Sequence, residues 1–504
     1  MSPARPIETR HLLHPEPPIF ERGAPGRSGA SLPPLDVPAP PPVEESLRRK
    51  TAPGLPECSE VEVTRHFTRL SRWNYAIDLG LYPLGSCTMK YNPKINERIA
   101  RLPGFANLHP AQLPETMQGG LAVQWHLEKC LAEIAGFARV TLQPAAGAQG
   151  ELCGILMIRA FHKKAGRAPT KVLIPDSAHG TNAATCTLAG FQAVSLKTGA
   201  DGLLSVESVK DAIAKHPGDI AAVMVTNPST LGLFEEGLTE VAALVHEAGG
   251  LVYMDGANFN ALLGKVRPGQ SGIDVMHINL HKTFTTPHGG GGPGSGVVGV
   301  VERLVPFLPR PTVERRADGT FYLDSERPDS IGRLRSWYGN FGMFTRAYTY
   351  MREMGGEGLR RATELAVLNA NYIRARLQGT YPLAYDAPSM HEVIFTDRRL
   401  KKEHGVQTLD VAKRLMDYGF HPPTIYFPLP AVTGGAGALM IEPTETETPE
   451  TLDEFCDAML AIAAEAAENP ELVHQAPHQT ALSRLDETKA ARQPRLRWTP
   501  APSK

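Results

Sequence analysis

The central part of the chain alternates short apolar runs with amphipathic helical stretches, and this alternation limits the fold more than any other feature. Apolar residues at helical spacing occupy 206–216 and 238–250. Strands that are apolar on both faces and separated by such helices are typical of a mostly parallel sheet covered on both sides. We therefore expect an α/β fold. The predicted strands are 171–175, 192–197, 220–226, 250–255 and 274–280.

The composition changes on either side of this region and predicts four segments. Residues 1–60 form a proline-rich arm, because consecutive prolines favour extended polyproline geometry over helix. Residues 61–340 form a large domain around the sheet, and 341–477 form a smaller α+β domain that begins with a long helix. Residues 478–504 are a polar tail.

Charge and cysteine usage exclude several classes of protein. The formal net charge is −1, so no basic excess is present to contact a nucleic acid backbone. Six cysteines lie without C-x-x-C pairs, which predicts free thiols rather than a disulfide framework, and no metal site is expected. No apolar run approaches the ~18 residues of a membrane span, and the N-terminus lacks the apolar core of a signal peptide. We expect a cytoplasmic protein with no membrane partner.

Two charged side chains follow predicted strands and together indicate a cofactor. Asp255 ends an apolar strand, where a carboxylate is costly to desolvate unless it meets a cation; alone it could equally be a helix cap. Lys282 follows the next strand in the turn that also holds His281, and alone it could be a surface lysine. Pyridoxal-5′-phosphate (PLP) needs both groups, a lysine at its aldehyde carbon and an acid at its ring nitrogen. We therefore predict PLP carried as a Schiff base on Lys282.

Three further stretches of this region are candidates for the cofactor's surroundings. QPAAGAQGE at 143–151 places Ala148 and Gln149 in a small-residue turn before a helix, where backbone N–H groups favour a phosphate. His179 follows another strand and could lie on the cofactor ring or simply begin a helix. The glycine run at 287–296 lacks the G-K-[ST] of a P-loop and predicts a tight loop beside the site.

An ordered set of motifs resembles the glycine cleavage system P protein, glycine dehydrogenase (decarboxylating), and more narrowly the family of its subunit 2, the β chain. The resemblance extends from about residue 20 to about residue 475, and its most specific stretch surrounds Lys282. The matching segments include YPLGSCTMKYNPKINE (82–97), LQPAAGAQGELCG (142–154), PDSAHGTNAAT (175–185), DGANFNALLG (255–264), DVMHINLHKTFTTPHGGGGPGSG (274–296) and ALMIEPTETE (438–447).

The resemblance implies a PLP-dependent fold of type I, like that of aspartate aminotransferase. Lys282 matches the family's Schiff-base lysine, Asp255 its ring-nitrogen acid and His179 its ring-stacking histidine. Glycine would join PLP in place of Lys282 and lose CO2, and the aminomethyl group would pass to the lipoyl disulfide of H protein. A separate α subunit in an α2β2 assembly is also implied.

The chain departs from the family pattern at two places. The family usually has histidine where this chain has Gln149, which can hydrogen-bond an anion but cannot act as an acid or base near neutral pH. Residues 430–437 are richer in glycine than expected, which predicts a changed surface loop.

Two other readings use the same residues. An aminotransferase or a cysteine desulfurase of the same fold would employ the same aspartate and lysine, although none of the six cysteines stands out as a nucleophile. A non-enzymatic scaffold subunit would have no need to keep both Asp255 and Lys282.

Overall fold

The computed structural model describes residues 16–51, 53–288, 294–335, 338–427 and 433–499, and these form two compact units. One unit comprises the described residues up to Leu79 and those from Gln475 onward, and the other runs from Gly80 to His474. The start of the proline-rich arm, the middle of the glycine run at 289–293 and the first part of the 430–437 loop lie outside the described residues. The domain boundaries at 60, 340 and 477 stay predictions.

Eleven strands are present among the described residues. They are β1 (Arg139–Thr141), β2 (Lys171–Pro175), β3 (Gln192–Leu196), β4 (Ile220–Thr226), β5 (Leu251–Asp255), β6 (Val275–Asn279), β7 (Gly296–Val300), β8 (Thr312–Arg315), β9 (Phe321–Asp324), β10 (Val393–Thr396) and β11 (Ala438–Ile441).

The described α-helices number fifteen. They are α1 (Glu60–Ser71), α2 (Lys94–Ala100), α3 (Pro103–Ala106), α4 (Gln118–Ala135), α5 (Gly147–Lys164), α6 (Gly180–Leu188), α7 (Val206–Lys215), α8 (Leu238–Glu247), α9 (Leu280–Thr283), α10 (Phe341–Leu377), α11 (Arg398–His404), α12 (Thr408–Asp417), α13 (Pro449–Glu468), α14 (Pro470–His474) and α15 (Glu487–Arg492). The long helix α10 is interrupted at Gly355, whose φ of 60° lies outside the helical region. Within the described residues no helix is both long and apolar enough to cross a membrane.

A seven-stranded sheet organises the larger unit, in the order β1-β7-β6-β5-β4-β2-β3. The strands from β3 through β2, β4 and β5 to β6 pair in parallel, and β7 runs antiparallel between β6 and β1. The mostly parallel sheet expected from the sequence is therefore confirmed.

The sheet is apolar on both faces because helices cover both. Val252 and Met254 of β5 join a hydrophobic cluster that includes residues of α8, whereas Leu251 and Tyr253 join a second cluster that includes residues of α5. Side chains alternate between the two faces of a strand, so each face of β5 has its own core. This double burial explains why the strands read as continuous apolar runs in the sequence.

Beyond α10 the chain forms a two-stranded antiparallel sheet with its own core. Strands β10 and β11 pair with Val393 opposite Ile441, and Phe395 and Leu439 pack with α13 residues such as Phe455. This segment carries side chains toward the carboxyl ends of the central strands, as described below.

The smaller unit combines the described arm with the C-terminal segment. Helix α1 begins with a capping box in which Ser59 and Glu62 satisfy each other's backbone N–H groups. The Glu16 carboxylate accepts hydrogen bonds from His66 and Arg69 of that helix. Residues 25–51 of the arm are exposed.

Candidate active site

A cavity of about 360 Å³ opens where three parallel strands end. Thr226, Asp255 and Asn279 are the last residues of β4, β5 and β6, and all three line it. Ligands of open α/β sheets bind at this edge. Other lining residues come from distant parts of the larger unit and include Ser86, Cys87, Gly147, Ala148, Glu151, His179, His277, His281, Lys282, His288, His391 and Glu392.

Asp255 is a buried carboxylate at the floor of this cavity, 5% exposed. Its Oδ2 accepts a hydrogen bond from Asn182 at 3.1 Å and its Oδ1 accepts one from the Ala257 N–H at 3.0 Å. Burial alone would raise its pKa, but His277, these two donors and Lys282 outweigh burial and hold the pKa of Asp255 below its ordinary value. The side chain is therefore a carboxylate prepared to meet a cation.

Lys282 lies in the single-turn helix α9 that follows β6, and it lines the same cavity. Two histidines accompany it, with the His281 and His288 rings 5.1 Å apart and nearly perpendicular. Burial, His288 and Lys282 lower the pKa of His281 to about 3, and burial and Lys282 lower that of His288. Both rings are therefore neutral near pH 7, and the Ser295 N–H donates to His281 Nδ1 at 3.2 Å.

The N-terminus of α5 forms another wall. Gly147 and Ala148 line the cavity, and a Cβ at Gly147 would lie 2.9 Å from the Asn279 amide nitrogen, so the backbone is packed against the end of β6. Gln149 faces elsewhere: its Oε1 accepts from the Ala145 N–H at 2.7 Å and its Nε2 donates to the Leu334 carbonyl at 3.4 Å. The amide of Gln149 therefore braces the turn that presents these backbone N–H groups.

His179 is the N-cap of α6 and lines the cavity with its ring exposed. Its Nδ1 accepts from the Thr181 N–H at 3.2 Å, and Thr181 Oγ1 donates to buried Glu151 at 2.9 Å. His179 therefore begins a helix and also borders the cavity. Its stacking on a cofactor ring stays a prediction.

Several lining residues escaped the sequence analysis. His277 lies inside β6 beside Asp255, with its Nδ1 2.8 Å from the Tyr253 hydroxyl, and a strand that is buried throughout gives no polar pattern to mark it. Ser86, Cys87, His391 and Glu392 come from segments far from the central sheet in sequence. Only their presence in polar motifs such as YPLGSCTMK could have drawn attention to them.

The residues present fit PLP. Two buried polar atoms without a hydrogen-bond partner among the described residues belong to residues of the cavity wall, namely Thr226 Oγ1 and Asn279 Oδ1. A buried group of this kind costs about 1–3 kcal/mol unless a ligand satisfies it. A carboxylate, a lysine amine and a helix N-terminus surround the same space, which is the donor set that a phosphorylated pyridinium aldehyde requires.

Comparison with known proteins identifies both the fold and the family of the chain. A family model described as "Beta-eliminating lyase" matches residues 116–418, and one described as "Glycine dehydrogenase, C-terminal domain" matches residues 362–482. A crystal structure of glycine decarboxylase (P-protein) of the glycine cleavage system superposes with a TM-score of 0.66 at 20% identity, covering 85% of this chain and 92% of that one. A cysteine desulfurase from Escherichia coli gives a TM-score of 0.59 at 17% identity, covering 78% and 97%.

These likenesses define the class: the chain has the type I fold of PLP-dependent enzymes. A protein of Halalkalibacterium halodurans, named a probable glycine dehydrogenase (decarboxylating) subunit 2, is 56% identical over 484 residues, which are 95% of this chain and 97% of that protein. The chain belongs to the glycine dehydrogenase (decarboxylating) subunit 2 family.

Proposed function

We propose that the chain is the cofactor-carrying subunit of a glycine dehydrogenase (decarboxylating). It takes glycine, releases CO2 and transfers the aminomethyl group to the lipoyl disulfide of H protein. The observation that carries the proposal is the placement of Asp255 and Lys282 in one cavity at the ends of adjacent parallel strands. The name of the relatives, glycine dehydrogenase (decarboxylating), supports glycine as the substrate.

Each wall of the cavity has a part in this chemistry. PLP, when bound, supplies the electron sink for the pair left behind as CO2 departs. Lys282 is the residue that would hold the aldehyde carbon of the cofactor, and Asp255 is the residue that would keep a proton on its ring nitrogen. The N-terminus of α5 at Gly147 and Ala148 receives the phosphate, because its N–H groups and helix dipole favour an anion.

His281 and His288 border Lys282 as uncharged rings, since the pKa of each lies below its ordinary value. Exchange of the Lys282 amine needs its unprotonated form, because the free electron pair is the nucleophile. A neighbouring cation would favour that form, and these neutral rings do not supply one. The two histidines therefore border the lysine as uncharged hydrogen-bonding groups.

A partner subunit is part of the proposal. The relatives are named as subunit 2, which implies a subunit 1, and we propose an α2β2 assembly that acts on lipoylated H protein in the cytoplasm.

A cysteine desulfurase is a second candidate because Cys87 lines the cavity. Burial raises the pKa of the Cys87 thiol, Glu442 raises it further, and Lys282 only partly offsets them. A thiol kept protonated is a weak nucleophile, which disfavours this candidate. Cysteine-dependent sulfide release that is lost in Cys87→Ala would favour it.

The proposal is tested by borohydride reduction of the PLP-loaded chain, followed by peptide mapping. The label should appear on Lys282, and Lys282→Ala should lose both the visible absorbance of the lysine-bound cofactor and glycine decarboxylation while remaining folded. Lys265→Ala is the matched control, since Lys265 is an exposed lysine paired with Glu364. Appreciable decarboxylation by Lys282→Ala without added amine would refute the assignment.

A further inference from the structure

Two buried glutamates face each other at the end of the β10–β11 ladder. The pairing of Val393 with Ile441 places the preceding residue, Glu392, opposite the following one, Glu442. A carboxylate oxygen of each and a ring nitrogen of His391 lie within 4.8 Å of one another. Like charges directly opposite each other on paired strands are unfavourable, so the arrangement favours one shared negative charge rather than two.

The two carboxyl groups have unequal surroundings. Glu442 accepts three hydrogen bonds, from the Thr88 N–H at 2.9 Å, the Thr88 hydroxyl at 2.7 Å and the Asn258 amide at 2.7 Å. Glu392 accepts one, from the Ser86 N–H to its Oε2 at 2.7 Å. A carboxylate is favoured by each donor that it accepts from, and Glu392 has the fewer, so the proton of the pair belongs on Glu392.

The second oxygen of Glu392 is directed toward a histidine that has an unused nitrogen. Glu392 Oε1 lies 3.6 Å from His391 Nε2, beyond hydrogen-bond distance. His391 is 2% exposed, and its Nδ1 has no hydrogen-bond partner among the described residues. Both side chains line the cavity that contains Lys282, so an unsatisfied ring nitrogen and a carboxyl oxygen are available to a ligand there.

The turn that holds the pair is strained. Ser86 and Thr88 have φ values of 61° and 53°, a left-handed conformation that side-chain-bearing residues seldom adopt. In this conformation the Ser86 N–H donates a hydrogen bond to Glu392, and the Thr88 N–H donates one to Glu442. Such strain costs on the order of 1–3 kcal/mol per residue and concentrates at functional sites.

The electrostatics agree with the hydrogen bonding. Burial raises the pKa of Glu392 well above its ordinary value and Glu442 raises it further, while the Ser86 N–H and Lys282 act in the opposite direction without reversing the shift. The titratable groups around Glu392 are Glu442, His391, Cys87 and Lys282. Burial also lowers the pKa of His391, which leaves that ring neutral.

We propose that Glu392 is the proton donor of this cavity in the transfer of the aminomethyl group to a disulfide. The inference rests on the proposed function and deepens it. The carbon that has lost CO2 bonds to one sulfur, the sulfur–sulfur bond breaks, and its electron pair stays on the second sulfur. The carbon supplies the two electrons that reduce the disulfide, the second sulfur takes the proton of Glu392, and water then reprotonates Glu392.

The first test is infrared spectroscopy of the folded chain, which detects a protonated carboxyl group without any turnover. The wild-type minus Glu392→Gln difference spectrum at pH 7 should contain the carbonyl band of a carboxylic acid. In Glu442→Gln that band should titrate at lower pH, because the neighbouring negative charge is gone. A spectrum without the Glu392 band would overturn the proposal and would instead fit two ionised carboxylates, as binding of a divalent cation requires.

The second test measures aminomethyl transfer to lipoamide by the PLP-loaded chain together with its partner subunit. Wild-type transfer should fall as pH rises through the pKa of Glu392, because the acid form is lost. Glu392→Gln should transfer about 100-fold more slowly with that pH limb abolished, in the range expected for loss of a general acid. The glycine-induced change in cofactor absorbance should persist, because that step does not need the donor.

Glu235→Gln is the matched control. Glu235 is also a buried acid, with a pKa raised by burial to about 7, but it is not among the residues that line the cavity. Its loss should leave the transfer rate and its pH limb unchanged.

The outcomes separate the two proposals. A wild-type complex that shows no glycine-induced absorbance change and no transfer would refute the proposed function itself. Normal transfer by Glu392→Gln with an unchanged pH limb would refute only the role of Glu392. If that variant fails to fold, the shift of the pH limb in Glu442→Gln decides the matter, and an unshifted limb counts against the proposal.

Discussion

Asp255 and His277 lie directly opposite each other on the neighbouring parallel strands β5 and β6, with Asp255 Oδ1 3.3 Å from His277 Nε2. His277 in turn meets the Tyr253 hydroxyl at 2.8 Å. The carboxylate expected to pair with the cofactor therefore has a positioning partner of its own inside the sheet.

Replacing His277 should weaken cofactor binding. Of the groups that oppose the effect of burial on Asp255, His277 contributes most, so His277→Asn should let the pKa of Asp255 rise toward or above its ordinary value. Each unit of that rise corresponds to about 1.4 kcal/mol, or about tenfold in PLP dissociation constant. Absorbance titration with PLP measures the change. Tyr253→Phe is the control and should have a smaller effect; equal affinity in His277→Asn and wild type would contradict the coupling.

Asp255→Asn should still bind PLP but should decarboxylate glycine far more slowly. The amide cannot hold a proton on the ring nitrogen, and removing one partner of a buried ion pair costs about 3–5 kcal/mol. If that loss appears in the transition state, the rate falls by roughly 100- to 1,000-fold or more. Single-turnover CO2 release at saturating PLP is the measurement. Turnover near the wild-type value would show that the ring nitrogen keeps its proton without Asp255.

Replacing Gln149 should weaken binding of the cofactor phosphate, because its amide holds the turn before α5 in place by hydrogen bonds. Gln149→Ala removes the hydrogen bonds to the Ala145 N–H and the Leu334 carbonyl, so PLP affinity should fall by a few-fold to tenfold, in line with about 0.5–1.5 kcal/mol per hydrogen bond. Pyridoxal, which lacks the phosphate, should bind the wild-type chain and Gln149→Ala with the same affinity. An equal loss for pyridoxal would place the effect elsewhere in the cavity.

The exposed arm should bind the partner subunit. Leu32 and Leu35 are 89% and 74% exposed, and Val37, Val43 and Leu47 of the same arm are exposed as well, so the arm offers a series of apolar side chains to a partner. Leu32→Ser with Leu35→Ser should lower the fraction of α2β2 complex in light scattering while PLP binding persists. These substitutions are cleaner than deletion of residues 1–38, which would also remove Glu16 and its bonds to His66 and Arg69. An unchanged complex would exclude these leucines from the interface.

The buried acid Glu235 should make stability depend on pH. Burial raises its pKa to about 7 in the folded state, so the folded chain binds this proton more tightly than the unfolded chain. The free energy of unfolding should therefore fall as pH rises from about 4.5 to about 7. Glu235→Gln lacks this dependence and should gain roughly 3–3.5 kcal/mol relative to wild type across that window, and nothing further above it. Calorimetry at pH 5 and pH 8 compares the two; a constant difference would argue that Glu235 does not titrate there.

The sequence predicted the sheet and its two strand-end residues because both depend on local patterns. Apolar runs such as 171–175 and 220–226 coincide with β2 and β4, and as expected Asp255 ends β5 and Lys282 follows β6. The antiparallel strand β7 was not predicted, because Gly296–Val300 is a short apolar run directly after a glycine-rich stretch and gives no sign of its direction.

The remaining site residues could not be predicted because their roles arise from pairing across long stretches of chain. Glu392 directly precedes β10 and Glu442 directly follows β11, and both strands are ordinary apolar runs. Only the register of these two strands places the glutamates opposite each other. Gln149 was expected to face the anion, whereas its amide binds the adjacent backbone. A departure from the family pattern showed where the residue differs but not which way it points.

The bond from the Ser86 N–H to Glu392 joins residues 306 positions apart, and Glu442 comes later still. A ribosome adds about 5–20 residues per second, so Glu392 is synthesised roughly 15–60 seconds after Ser86. The complete cavity can exist only when almost the whole chain has emerged. Completion of this cavity is therefore a late event of synthesis, and a truncated product that stops before β10 would carry Lys282 and Asp255 without Glu392 and Glu442.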